Sequence, residues 1–291
     1  MKNIEALKSL YKLLSPCELC PLDCRVKRLK KEVGVCNSGL LMKISNALLY
    51  KGEEPPLTYK NGSGAIFFSN CSLKCVYCQN YQFSQLRVGK IISVKELASI
   101  ILDLERKGAA NINFITATHY APQAMASLQL ARVNGLKIPA VWNTVGYEKK
   151  EVIELLNEFI DIYLPDLRYV NNEDGVKFSF VENYFDITLE ALKLMVKSKP
   201  IKFDTLGRLK QGVIVRYLVF PNKLDDLKIA LKVLKENFDD EIFISVMTQY
   251  VPVYKARNYE ELGRSLTKEE ITEVKKIVKV AKIKHGWVQY G

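Results

Sequence analysis

The stretch Asn70-Cys71-Ser72-Leu73-Lys74-Cys75-Val76-Tyr77-Cys78-Gln79-Asn80 places three cysteines within eight residues, just after the apolar run Ala65-Ile66-Phe67-Phe68. Thiolates are the usual ligands of iron–sulfur clusters. A cubane has four irons, so three cysteines on one short loop leave one iron without a protein ligand. The spacing, three residues and then two, is neither a common ferredoxin run nor a paired C-x-x-C zinc site. The loop reads as the seat of a [4Fe–4S] cluster, with a zinc loop or three unconnected core thiols as the alternatives.

From Gly64 onward, apolar strand-like runs alternate with helix-like runs. Strands are expected near 65–70, 111–117, 138–144, 160–166, 212–220 and 242–250. Helices are expected near 93–107, 121–134, 148–158, 186–198, 224–237 and 267–284. Ser93 with Glu96, and Thr267 with Glu270, are capping-box starts. Six β–α units in series imply a parallel sheet, because parallel neighbours need crossover helices. Periodicity alone does not separate a doubly wound sheet from a partial barrel. Polar residues gather at the ends of the runs: Asn70 to Cys78, Thr116 to His119, Asn143 to Gly146, Asp166 to Arg168, and Gln249-Tyr250. Strand ends are where β–α enzymes build their sites, and so many ends serving one ligand suit a curved sheet.

Upstream, residues 4–14 carry apolar side chains at helical spacing, and Ser15-Pro16 stops that helix. Cys17, Cys20, Cys24 and Cys36 follow, with Pro21, Gly34 and Gly39 supplying turns. Four ligands can close a site, so this module is expected to hold either zinc or an auxiliary iron–sulfur cluster. Gly52-Glu53-Glu54-Pro55-Pro56 and Asn61-Gly62-Ser63-Gly64 make residues 46–64 turn-rich and place a domain boundary there, dividing 1–60 from 61–291. The glutamate pair reads as solvated, or else as facing the site.

The chain has 291 residues, 48% of them hydrophobic, enough for one full-sized core. No apolar run approaches the length of a membrane span, and Met1-Lys2-Asn3-Ile4-Glu5 is too charged to open a signal peptide, so the cytoplasm is the expected location. The net charge of +11 allows a nucleic-acid partner. The lysines, however, are scattered along helix-like segments, and Lys27-Arg28-Leu29-Lys30-Lys31 is a short run. A solvated surface or an acidic electron donor explains the charge as well as RNA does. The rival from another class is a zinc-dependent nucleic-acid-binding protein.

The C-x-x-x-C-x-x-C loop resembles the signature of the radical SAM enzymes. Gly62 to Cys71, Asn111 to Tyr120, Asp161 to Tyr169 and Met247 to Tyr250, with the four N-terminal cysteines, resemble the PflX-like group related to the pyruvate formate-lyase activating enzyme. The resemblance implies a partial (β/α)6 TIM-like barrel with a small N-terminal four-cysteine metal-binding module. It implies that Cys71, Cys75 and Cys78 hold a [4Fe–4S] cluster whose open iron chelates S-adenosylmethionine (SAM). The reduced cluster would cleave SAM to a 5′-deoxyadenosyl radical that abstracts hydrogen from a substrate, a glycyl-radical enzyme being one candidate. Tyr77 would lie beside the adenine. Thr116, Thr118 and His119 stand where most family members carry a Gly-Gly-Glu-like stretch, and a hydrogen-bonded strand-end role for His119 is weighed equally. Asn143 and Thr144 resemble a Thr-Asn-Gly segment, Asp166 and Arg168 an Asp-Leu-Lys motif that reaches the ribose and carboxylate, and Arg216 an arginine within a strand. Gln249 is a candidate for lining the cofactor and substrate space. The implied partners are a low-potential electron donor of flavodoxin or ferredoxin type and a protein as candidate substrate, with neither nucleic acid nor membrane.

Overall fold

The computed structural model describes residues 2–290. It opens with α1 (Lys2–Lys12), and residues 13–42 then run without regular structure apart from one 3-10 turn at Arg28–Lys30. β1 (Lys43–Tyr50) and the single turn α2 (Pro55–Thr58) lead into β2 (Ser63–Phe68), which the cysteine loop follows. Next come α3 (Tyr81–Ser84), β3 (Lys90–Ile91), α4 (Val94–Arg106), β4 (Ile112–Ile115), α5 (Ala121–Val133), β5 (Ala140–Thr144), α6 (Lys150–Leu156) and β6 (Ile162–Pro165). The chain continues through α7 (Asn172–Ser179), α8 (Tyr184–Ser198), β7 (Lys202–Phe203), β8 (Leu209–Leu218), α9 (Leu224–Phe238), β9 (Phe243–Met247), α10 (Lys268–Ala281) and β10 (Gly286–Gln289).

The strands form one sheet in the order β10-β9-β8-β6-β5-β4-β2-β1-β3, with β7 on the side of β8. From β2 to β10 every neighbouring pair along this path is parallel, whereas β1 is antiparallel to β2 and to β3. Each parallel strand lies beside its predecessor in the chain, without the reversal that defines a doubly wound sheet. The fold is therefore α/β with a mostly parallel sheet, and β3 and β10 leave it open.

The sheet is curved. Seven inter-strand steps separate β1 from β10, about 34 Å if flat. Yet Glu54, four residues beyond the end of β1 and so within about 14 Å of it, accepts hydrogen bonds from Trp287 and Gln289 on β10. Only a curled sheet brings its two sides that close.

Alternation along the strands sorts the two faces. Trp142, Tyr163, Val213 and Val215 pack outward into the core shared with the helices. Val141, Ile162, Leu164 and Ile214 point inward, and with Leu57 of α2 and Leu209 they fill one end of the concave side. At the other end the same inward rows continue as Asn143, Asp166 and Arg216. A third apolar cluster, including Tyr77, Tyr169, Tyr184, Phe220 and Tyr250, packs behind the cysteine loop.

The six expected strands and the helices between them are present, but the edges differ from expectation. Residues 46–50 complete β1 instead of forming an irregular turn, because the hydrogen bonds to β2 hold them extended from Ile44↔Phe68 to Tyr50↔Ser63. β10, which extends the parallel sheet beside β9, and helix α7 were not anticipated. No helix among the described residues is long and apolar enough to cross a membrane.

Candidate active site

The three-cysteine loop leaves β2 through Asn70, whose φ of 72° is a left-handed conformation that asparagine tolerates. The amide of Asn70 bonds to Phe83 O at 2.8 Å, those of Lys74 and Val76 bond to the carbonyls of Ser179 and Phe178, and Val76 O accepts from Lys255. α7 and the segment after β9 thus clamp the loop from two sides. Cys75 Sγ lies 2.9 Å from Ser179 Oγ and 3.2 Å from Nη1 of Arg168, and Cys78 Sγ lies 3.1 Å from Ser84 Oγ. Burial, joined by the charges of Cys75 and Cys78, pushes the Cys71 thiol up to about 12. An isolated Cys71 thiol would stay protonated, whereas a bound metal would deprotonate it outright.

Asp166 organises the strand-end polar row. It accepts from Arg168 Nη2 at 2.8 Å and from Arg216 Nε at 2.7 Å. Arg216 also donates to Asn143 Oδ1 at 2.7 Å and lies 3.5 Å from Glu53 Oε1. Burial opposes the Arg216 charge, but Asp166, Glu53 and Glu54 outweigh it, and Cys75, Tyr77 and Asp166 do the same for Arg168.

Two adjoining cavities share this row. The smaller, about 190 Å³, is lined by Tyr77, Cys78, Asp166, Arg168, Arg216 and Gln249 among others. The larger, about 380 Å³, shares Asp166, Arg168, Arg216 and Gln249 and adds Thr116, Asn143, Glu53 and Glu54. Tyr77 is held there by packing: its ring centroid is 4.7 Å from that of Phe220, and its hydroxyl is 2.8 Å from that of Tyr169. Thr116 has φ 56°, unusual for a β-branched residue and a conformation glycine adopts freely. Gly146 is required by its turn: φ is 80°, and a Cβ would sit 2.4 Å from Asp166 O.

Thr118, His119 and Thr144 are directed elsewhere. Thr118 Oγ1 donates to Glu148 Oε1 at 2.6 Å, Trp142 Nε1 donates to the same oxygen at 3.2 Å, and Thr144 Oγ1 joins them. His119 Nε2 is 2.8 Å from Ser69 O, and burial drives its pKa down to about 3, so the ring is neutral at ordinary pH. Sequence reasoning missed Glu148, Asn113 and Ser179 altogether. Of the two readings of Glu53 and Glu54, solvated or facing the site, the structure shows the second: both are buried and line the larger cavity. Arg28, taken as part of a surface run, is also buried, bonding to Gly39 O at 3.0 Å and His119 O at 2.6 Å.

Among the described residues, no three His, Cys, Asp or Glu side chains are arranged to hold a metal ion. A cubane makes a different demand, binding each thiolate to its own iron. Three thiols on one loop, Cys71 and Cys75 buried and Cys78 half-buried at the cavity wall, with Arg168 beside Cys75 to balance thiolate charge, fit that donor set in chemistry. The fold brings the four N-terminal cysteines into one region. A Cβ on Gly34 would lie 3.1 Å from Cys24 Sγ and 3.5 Å from Cys36 Sγ. Burial raises the Cys20 thiol, and the charges of Cys36 and Cys17 raise it further. This segment touches the loop directly: Asn70 Nδ2 donates to Asn37 O and Ser38 Oγ, each at 3.1 Å.

The family model described as radical SAM superfamily matches residues 65–212. The uncharacterized protein MJ0674 of Methanocaldococcus jannaschii is 34% identical over 277 residues, spanning 92% of this chain and 75% of that one. Streptococcus suis SuiB bound to precursor peptide SuiA aligns with a TM-score of 0.51 at 12% identity, over 75% of this chain and 46% of SuiB. A radical SAM methyltransferase from Sphaerobacter thermophilus aligns with a TM-score of 0.51 at 12% identity, over 76% of this chain and 63% of that one. The chain spans about half the length of SuiB and under two thirds of the methyltransferase. At these identities the likeness to solved structures is one of fold.

Proposed function

The chain belongs to the radical SAM superfamily, and from that premise we propose that it reductively cleaves SAM and uses the resulting radical to abstract hydrogen from a substrate. The observation that carries the reading is the three-cysteine loop at the end of β2, beside a cavity lined by charged and polar strand ends. When bound at Cys71, Cys75 and Cys78, a [4Fe–4S] cluster supplies the electron that cleaves SAM to methionine and a 5′-deoxyadenosyl radical.

The chain's own residues bind, orient and exclude water. Arg168 offsets the charge of the Cys75 thiolate, and Asp166 fixes the guanidiniums of Arg168 and Arg216 in one orientation. Asp166, Arg168 and Arg216 are suited to hold the polar groups of SAM, with Asn143, Thr116 and Gln249 around them and Tyr77 as an aromatic wall. The ring cluster of Tyr77, Tyr169, Phe220 and Tyr250 keeps that wall dry. Thr118 and Thr144 act from behind by tying two strand ends to Glu148, and neutral His119 anchors its loop to Ser69. No side chain is assigned as an acid or base.

At finer detail, the reading is a PflX-like enzyme, a partial (β/α)6 barrel in residues 61–291 with residues 1–60 as a four-cysteine metal module. A glycyl-radical enzyme is its candidate protein substrate, a flavodoxin or ferredoxin its electron donor, and the cytoplasm its location. Anaerobic reconstitution tests the core. We expect about four irons and four sulfides bound at the 71–78 loop, a reduced-cluster EPR signal that changes on adding SAM, and 5′-deoxyadenosine after dithionite reduction. Zinc without iron, and no 5′-deoxyadenosine, would overturn it in favour of a zinc-binding protein.

A further inference from the structure

One end of the larger cavity lies beyond the residues shared with the cluster side. It is made by Tyr50, Gly52, Glu53, Glu54, Phe67 and Gln289. Glu53 and Glu54 are 9% and 2% exposed. Glu53 is matched by Arg216, and Asn113 Nδ2 donates to it at 2.7 Å. Glu54 makes no ion pair among the described residues and is met by neutral donors on β10, Trp287 Nε1 at 3.0 Å and Gln289 Nε2. Among the described residues the cavity's lining cations are Arg168 and Arg216, both committed to Asp166, against three lining carboxylates.

Two further observations point the same way. Asn113 is fully buried and its Oδ1 is without a partner. It shares the inward face of β4 with the cavity-lining Ile115, so its free acceptor faces the same side. Tyr50 and Phe67 stand edge to face, with ring centroids 6.5 Å apart. A Cβ on Gly52 would lie 2.7 Å from Tyr50 Oη, so the glycine leaves that ring its place.

We infer that this end of the cavity recognises an organic cation, an ammonium or guanidinium group carried by the substrate. The site offers carboxylate and amide acceptors and aromatic rings, the groups that bind a multi-donor cation. An anionic group would meet Glu53 and Glu54 and be repelled. Burial raises the Glu54 carboxyl, Arg216 acts against that rise and Glu53 adds to it, and an incoming cation would lower it again. The inference rests on the proposed function in one respect: SAM occupies the cluster side, leaving this end for substrate.

Calorimetric titration of the anaerobic, cluster-loaded protein with SAM present tests it, using n-butylammonium, n-butylguanidinium, butyrate and the peptide Gly-Gly-Lys-Gly-Gly. At least one cation should bind while butyrate does not, and tighter binding of the peptide than of butylammonium would identify a side-chain cation. Glu54→Gln keeps an acceptor for Trp287 and Gln289 and should weaken cation binding at least tenfold. Tyr50→Leu should weaken it several-fold. Butyrate binding as tightly as the cations, no cation binding, or cation affinity unchanged in Glu54→Gln would overturn the inference. The wild-type comparison stands even if a variant misfolds. No reductant is present, so failure to form 5′-deoxyadenosine in a separate dithionite assay would strike the radical SAM reading and leave the cation result to stand or fall by itself.

Discussion

Asp166 stands between two guanidiniums, accepting from Arg168 on one oxygen and from Arg216 on the other. All three side chains are less than one-fifth exposed, so water does little to screen the charges if the carboxylate is lost. Removing one partner of a buried ionic set costs far more than the set contributes as a whole, because it strands charge. Asp166→Asn is therefore expected to lower stability by about 3 kcal/mol in urea denaturation and to raise the KM for SAM. An unchanged denaturation midpoint would show that Arg168 and Arg216 find other partners. Asp166 and Arg168 were legible in the sequence because polar residues at the end of an apolar strand run have a positional meaning, and Arg216 because a charge within an apolar strand must be paired. Asn113 was not, because a single asparagine within an apolar run carries no such mark. Glu53 and Glu54 sit in a Pro-rich turn, where solvent-facing and site-facing readings are both open until the curl of the sheet carries it across to β10. Glu148, at a helix start, looks like an ordinary N-terminal acid; only the fold brings Thr118 and Thr144 to it.

Elements with local start signals were the most legible. Both expected capping boxes form, Ser93 with Glu96 on α4 and Thr267 with Glu270 on α10. β1 and β10 lacked such signals: β1 alternates only weakly in burial and is held by its pairing with β2, and β10 is four residues long. Glu270 does more than cap. Arg264 bonds to both of its oxygens, and the amides of Asn222 and Thr267 donate to it as well. With Arg264 as the main cause, its carboxyl is held down at about 2. A folded value below the unfolded value of about 4.3 means stabilisation that is complete above that pH and is lost as pH falls through about 2. Glu270→Gln should cost about 1 kcal/mol at pH 7, and the gap to wild type should narrow between pH 4 and pH 2, about the range separating the two pKa values. Parallel urea melts across that range check it; a gap independent of pH would mean that the cap's geometry, not its charge, carries the effect.

At the scale of the whole molecule, curvature is the decisive fact. It gathers ends from β2, β4, β5, β6, β8 and β9 around the two cavities, and it lets the segment after β1 reach β10 across the open side. Residues 13–42 are fastened to that assembly at several points. Arg28 bonds to His119 O, Lys149 Nζ pairs with Asp23 at 2.7 Å, and Asn37 and Ser38 accept from Asn70, the residue before Cys71. These contacts couple the two cysteine groups mechanically, but the groups share no cysteine, and each lies on its own stretch of backbone. If both bind metal, as proposed, each should load without the other. A variant with Cys71, Cys75 and Cys78 all changed to alanine should lose the SAM-responsive EPR signal and all 5′-deoxyadenosine formation while retaining metal at Cys17, Cys20, Cys24 and Cys36. Metal analysis of the anaerobically purified variant reads this directly. Retained iron with sulfide would identify an auxiliary cluster, and retained zinc a structural ion. Complete loss of metal in a variant that keeps its wild-type circular dichroism would show that Cys17, Cys20, Cys24 and Cys36 bind none independently, and that the contacts of Arg28, Asp23 and Asn70, with the core packing of Leu14 and Leu19, hold the N-terminal segment without it.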